Sequence, residues 1–585
     1  MKRIICLLLV LVMALSCTFA LASCDLLGSG EGSGEGSGEG GGEGEGGGEG
    51  GGGGSATVEN WWDTIKYDNT SLRFQLTECP NAGLHPNTKR LLEGDESASL
   101  GRPLDDLITQ RNGEAYFKTN VTISYDYYGT DQDKYGWSQV MNEIYANHIS
   151  NSTAVPDMYC NYMSDLLATS LKGAFANIIT QNPQHNSAGN GTVMNYFTPD
   201  PTIKNEGYEH SGYMAELMSD LTLSDEKFYV IASDYYIDLI RAFYVVPVNQ
   251  YLFNTIAPEV IGEDLNDDEV IDMNDLFEVV KNNDWTYDQL IQYCAKITTE
   301  GATWDNGGTL GFALDSSGGM MASGLMYTTK LTIIDKSQFD SDLNRIYTYP
   351  SDSTKIDDFI RKVNDLFGST GVTNVELDGD RAAGEIANKF IGNSLLFGGI
   401  ITVGNLENAE YQNMKGREEG GFGVLPVPVY TNIDPATGEK YALDNAPYLT
   451  QIHTTGGAGA IAFKTQKFTQ CSAFIQYQST HSTDILNEYY DNNLTADLSN
   501  GLDGNVYMLQ YIRDNVRSAF DKLFEDAVAF FNRENDRNAL NYRWHHQLLI
   551  YDYRIDSFAD IYSSYVTLKQ SRLEELVSNY DGLPD

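Results

Sequence analysis

The sequence predicts an α/β fold divided between two or three lobes, with a helical C-terminal part. Three observations carry this. Short runs of β-branched and aromatic residues alternate with segments of helical spacing, so strands return through crossover helices to a mostly parallel sheet. About 530 residues follow a glycine-rich N-terminal stretch, too many for a single core. From Ala473 onward the apolar spacing is helical almost throughout.

The elements follow in order. Leu72-Arg73-Phe74-Gln75-Leu76 predicts a short strand, and Val121-Thr122-Ile123-Ser124-Tyr125 a second that stops at Gly129. Leu104 to Tyr116 and Trp137 to Ile149 read as helices, the latter with Val140, Ile144 and Ile149 on its apolar face. Met158-Tyr159-Cys160, after Pro156-Asp157, reads as a short buried strand. Phe228 to Ala232 and Phe243 to Val248 are strand-like. In Trp285-Thr286-Tyr287-Asp288, Thr286 can cap a helix whose apolar face is Leu290, Ile291 and Ala295. Lys355 to Phe367 is a further helix. Ser394 to Phe397, Phe422 to Val429 and Ala458 to Phe463 are strands, the second interrupted by Pro426 and Pro428. Val506 to Phe531 and Ile561 to Leu576 are the longest helical segments of the C-terminal part.

The N-terminus predicts export. Lys2 and Arg3 precede an apolar run from Ile4 to about Leu15, too short to span a bilayer, which describes a signal peptide over residues 1–23. Leu21-Ala22-Ser23-Cys24 resembles the bacterial lipobox, and that resemblance implies that Cys24 carries a lipid. Cys17 follows Ala14-Leu15-Ser16 and lacks leucine at the third upstream position. Residues 24–57 form a tether: from Gly28 to Gly54 there is only glycine, serine and glutamate. Such a coil reaches about 30 Å, and its glutamates extend it by mutual repulsion.

A formal net charge of −44 excludes nucleic acid as a partner, and equally docking by charge on an anionic bilayer. After Cys24 only Cys79, Cys160, Cys294 and Cys471 remain, too widely spaced for a disulfide framework. Cys79 and Cys160 lie near the ends of strands that would be neighbours; they are expected as free thiols. No metal-spaced thiols, His-Glu-x-x-His, Gly-x-Ser-x-Gly or phosphate-cradling glycine loop occurs. His545-His546, beside Trp544, are adjacent and would diverge on a helix.

The order of signals resembles the extracellular solute-binding proteins of bacterial ABC importers, in their sugar-type, family 1-like class. Pro156-Asp157 opening a strand is similar to that family's Pro-Asp strand. Phe243-Tyr244-Val245-Val246-Pro247 and then Tyr251-Leu252-Phe253-Asn254 resemble its first hinge crossing and "Tyr-Asn-Lys" strand, although Asn254-Thr255 departs from that motif. Trp285-Thr286-Tyr287-Asp288-Gln289-Leu290 resembles its Trp-Thr-x-Asp-x-Leu helix start, the most specific match. Gly311-Phe312, Phe390-Ile391-Gly392-Asn393-Ser394, Phe422 to Pro428 and Gly456-Gly457-Ala458 follow in the family's order. The resemblance implies a two-lobed, type II periplasmic-binding-protein-like fold, with residues 58–245 plus 425–495 as lobe I and residues 246–424 plus 496–585 as lobe II. It also implies a monomer without enzymatic activity. Hinge strands would let the lobes close on a small solute, a carbohydrate, for delivery to an ABC permease.

Polar and aromatic residues just past strand ends are the expected solute contacts: Asp126, Tyr127 and Tyr128, Asn161 and Tyr162, and Tyr235 and Tyr236. A pyranose exposes an apolar face and an edge of hydroxyls, which an aromatic ring beside Asp or Asn matches. Trp137, Trp285 and Trp304 are further rings of the right kind, Trp285 being expected to pack its helix. Asp264, Asn266, Asp268, Asp272 and Asp275 have the spacing of a twelve-residue calcium loop. Glu269 stands where such a loop has glycine, and an acidic surface loop capping a helix is the expectation, with no cofactor. Two other classes fit the same anchor, a tethered glycan-processing enzyme such as a lyase or hydrolase and a surface adhesin.

Overall fold

The computed structural model describes residues 60–77, 88–94, 103–128, 137–150, 155–180, 194–314, 325, 335–341, 345–348, 354–375, 379–415, 417, 420–434, 437–441, 448–453, 456–495, 502, 504–517, 570–571 and 573–583. The signal segment, Cys24, the tether, Cys79 and the pair His545-His546 lie outside them. Val58–Asp585 is one compact unit.

The strands are β1 (Thr70–Thr77), β2 (Val121–Tyr128), β3 (Met158–Tyr162), β4 (Tyr244–Asn249), β5 (Leu310–Leu314), β6 (Asp335–Phe339), β7 (Arg345–Thr348), β8 (Val372–Asn374), β9 (Leu395–Phe397), β10 (Ile401–Thr402), β11 (Phe422–Leu425), β12 (Thr450–Gln451), β13 (Gly457–Ile461) and β14 (Val516–Arg517). They make two principal sheets. The first has the order β13-β3-β1-β2; the second β10-β4-β9-β5-β8, with β11 also on β4. Both are mixed. β1 runs parallel to β2 and β3, and β5 to β8 and β9, through helical crossovers; β13 on β3 and every partner of β4 are antiparallel. The α/β reading with a sheet for each half of the pattern therefore holds, and the mostly parallel sheet becomes two mixed ones. β4 enters the second sheet from β3 of the first, and β13 joins the first sheet after β12, which pairs with β14 outside both.

Sequence periodicity places the helices well. Pro103–Thr119 and Trp137–Ile149 flank the first sheet's strands, and Thr286 caps the helix Tyr287–Ile297, its hydroxyl accepting the Gln289 N–H at 3.3 Å. Trp285 is fully buried, its ring 5.5 Å from Phe397, its indole N–H donating to the Pro426 carbonyl at 2.8 Å. Other expectations change. Tyr251 to Asn254 belong to the helix Gln250–Val260, which Asn249 starts by accepting the Leu252 N–H; Leu252, Phe253, Ile256 and Ala257 bury at helical spacing. Phe228 to Ala232 forms a single isolated bridge rather than a strand, Ile231 pairing with Gly459. β11 ends at Leu425, immediately before Pro426. The helix begun at Asn505 stops at Asp514 and turns into β14. Ile149 is 61% exposed, off the apolar face expected of it.

Among the described residues the chain first passes between the two sheets at residues 241–245, on entering β4, and β11 of the second sheet precedes β13 of the first. Near the first passage, three segments lie side by side. Val403 and Gly404 donate backbone N–H groups to the carbonyls of Phe243 and Arg241, each at 2.8 Å, and His453 donates to Ala242 at 2.9 Å.

Candidate functional site

The carboxyl ends of β1, β2 and β3 are the part of the first sheet that the expected contacts share. Side chains alternate across a strand, and that alternation divides them. Register sets Leu76 beside Tyr127 and Cys160, so Tyr127 and Tyr162 point to the face of Phe74 and Leu76. Gln75 sits beside Asp126 and Tyr159, so Asp126 and Asn161 point to the opposite face. Tyr128 closes β2, and its side chain is outside the described ones.

Tyr127 is half-buried and donates its hydroxyl to Glu93 at 2.5 Å. Glu93 ends the helix Thr88–Glu93 and is itself half-buried. The Tyr125 ring stacks beside Tyr127 at 6.1 Å. This pair, an aromatic ring with a carboxylate at its rim, has the chemistry to receive hydroxyl groups. On the other face Asp126 pairs with Arg73 at 2.7 Å, both more than a third exposed, an arrangement worth at most about 1 kcal/mol.

The remaining expected contacts are enclosed. Tyr235 is fully buried, its ring 6.4 Å from Phe74 and 5.8 Å from Phe474. Tyr236 is packed where Gly459 leaves room; a Cβ there would lie 1.9 Å from its hydroxyl. Burial pushes both phenols well above the ordinary tyrosine range, so they stay neutral. Neither ring presents a face to a solute in this conformation. Asn161 and Tyr162 are also buried, the Asn161 side-chain Oδ1 accepting the Tyr162 N–H at 2.7 Å. Sequence expected these residues just past strand ends; Asn161 and Tyr162 instead lie within β3, and Tyr235 and Tyr236 follow a segment that makes an isolated bridge at Ile231 rather than a strand. Which side each faces, and what covers it, depends on pairing with distant segments. Of the other rings, Trp304 is partly buried beneath the Lys389 ammonium at 4.7 Å, and the side chain of Trp137 is outside the described ones.

Sequence reasoning missed a charged cluster at the first passage between the sheets. Arg241, 1% exposed, bonds Asp238 at 2.7 Å and takes Glu407 in a two-pronged grip at 2.8 and 3.0 Å. Tyr489 donates its hydroxyl to the same Glu407 at 2.6 Å. Asp238 lies against Gly457, where a Cβ would come within 3.0 Å of the Asp238 Cβ. The two carboxylates hold the guanidinium above the ordinary arginine range against the opposing effect of burial. The i,i+3 spacing of Asp238 and Arg241 was visible in sequence; Glu407, 166 residues away, gave no local signal.

The acidic loop engages its own backbone. Asp264 accepts N–H groups from Asp268 and Glu269 at 3.3 and 2.7 Å, while Asp272 and Asp275 form a reciprocal cap on the helix Met273–Lys281. Asp275 accepts from Leu265 and Asp272. Glu269 adopts φ +72°, the conformation that glycine would take more easily. Among the described residues no group of three or more His, Cys, Asp or Glu is arranged to hold a metal ion. Cys160, Cys294 and Cys471 are buried free thiols.

No protein-family model matches the chain, and no curated protein matches it. Among solved structures it is similar to the GacH receptor of Streptomyces glaucescens, at 13% identity, over 83% of this chain and 100% of that one, with a TM-score of 0.42. It is similar to the sugar-binding protein MalE of Xanthomonas citri, at 10% identity, over 84% and 99%, with a TM-score of 0.46. A third is the galacto-N-biose/lacto-N-biose I-binding protein of an ABC transporter from Bifidobacterium longum, at 12% identity, over 86% and 99%, with a TM-score of 0.43.

Proposed function

We propose that this chain is an extracellular solute-binding protein, held to the membrane by a lipid on Cys24, that captures a carbohydrate and delivers it to an ABC permease. The observation that carries the reading is the arrangement of two mixed sheets joined by adjacent backbone passages. Few backbone segments would need to bend for one sheet to move against the other, and a solute touching both would favour closure. The Tyr127–Glu93 pair at the carboxyl edge supplies the aromatic surface and hydroxyl acceptor that a sugar requires. The Leu21-Ala22-Ser23-Cys24 sequence and the glycine-rich tether support the anchored, exported setting.

The test is a thermal-shift and calorimetric screen of the protein against mono- and oligosaccharides, amino acids and peptides. At least one saccharide should raise the melting temperature without being consumed. Tyr127→Ala should then weaken its binding by about 1–3 kcal/mol, roughly one to two decades, with little change in melting temperature. Turnover of an oligosaccharide would favour a tethered enzyme instead, and binding of peptides alone would overturn the carbohydrate reading.

A further inference from the structure

The buried arginines of this molecule are treated unequally. Arg241 lies 2.8 Å from Glu407, Arg513 2.9 Å from Asp234, and the partly buried Arg517 2.6 Å from Asp220. Arg111, on the helix Pro103–Thr119 and only 3% exposed, has no carboxylate partner among the described residues. One of its terminal nitrogens donates to the Ser482 hydroxyl at 2.8 Å and the other reaches the Asn112 carbonyl oxygen at 3.4 Å. Its Nε–H is buried with no hydrogen-bond partner. The Ser482 hydroxyl is neutral and itself donates to the Gln478 backbone carbonyl at 2.7 Å. Glu93, on the neighbouring helix, has its carboxylate engaged by Tyr127. Among the described residues, the ionisable groups that bear on the Arg111 charge are two phenols, Tyr235 and Tyr125, which burial keeps neutral. Burial pulls the guanidinium down to about 10, which still leaves it charged at neutral pH.

A full positive charge buried with no counter-charge among the described residues is an unfavourable arrangement for a fold to contain. It is the more unusual in a chain with 82 acidic residues against 38 basic ones. We propose that the Arg111 guanidinium holds a small monovalent anion of halide size, received by its free Nε–H. The size follows from the enclosure: the Tyr235 ring covers the guanidinium at 5.0 Å and Arg111 is 3% exposed, which suits a small ion better than a group carried on a larger solute. The inference is independent of the transport reading.

The experiment titrates chloride against gluconate at constant ionic strength and follows the melting of the protein and of Arg111→Met. At chloride ten times over its dissociation constant, the folding equilibrium of the parent should rise about tenfold. Arg111→Met should show no chloride-specific rise. An equal response in both proteins, or none in the parent, overturns the proposal. Should Arg111→Met fail to fold, crystals of the parent grown in bromide decide the matter. An anomalous peak within hydrogen-bonding reach of Nε supports the site, and an ordered guanidinium without one overturns it.

Discussion

Removing the Glu407 carboxylate should cost this protein more than any surface ion pair could. Glu407 accepts three hydrogen bonds, two from Arg241 and one from Tyr489, and the guanidinium they serve is 1% exposed. Glu407→Ala leaves Arg241 buried with Asp238 as its remaining carboxylate, at 2.7 Å. Breaking a buried pair from one side costs about 3–5 kcal/mol, and retention of Asp238 places this case near the lower end, at about 3 kcal/mol. The origin is the stranded charge rather than the lost contacts. Arg241→Met added to Glu407→Ala should therefore recover part of the loss, leaving the double variant about 1–2 kcal/mol more stable than the single. Urea unfolding followed by tryptophan fluorescence measures the parent, both single variants and the double variant. If Glu407→Ala lies within 1 kcal/mol of the parent, or the losses of the two substitutions simply add, the cluster does not work as described.

Gly459→Ala should destabilise by about 1–3 kcal/mol or more, since its Cβ would meet the Tyr236 hydroxyl at 1.9 Å and the ring carbon behind it at 2.2 Å; a change under 0.5 kcal/mol in the same unfolding assay would refute that packing. Glu269→Gly should stabilise by about 0.5–1 kcal/mol by relieving the side chain at φ +72°, and a lower melting temperature would show that the loop needs the glutamate. Burial raises the Asp234 carboxyl from 3.8 to about 7 although Arg513 opposes it, so between those values the native state holds a proton that the unfolded chain has lost. Its contribution to stability should fall as pH rises through that window, and Asp234→Asn should flatten the slope; an unchanged pH profile would contradict the raised value.

The local features of this chain were legible because they depend on neighbours in sequence. Thr286 capping its helix, Trp285 packing beneath it, and the strands at Leu72, Val121 and Met158 follow from hydroxyl chemistry, apolar spacing and side-chain period. Pairing was not legible. The antiparallel return of β13 onto β3 joins segments some three hundred residues apart, and it encloses Tyr236 against Gly459. Sequence also marked Asp126 and Tyr127 as one site, yet a strand turns consecutive side chains to opposite faces, and only Tyr127 meets Glu93. Arg111 and Arg241 look alike in sequence; one finds Glu407 and the other finds neutral groups. Charge neutralisation inside a fold is set by which distant segments the packing brings within about 3 Å, a distance that local propensity does not encode.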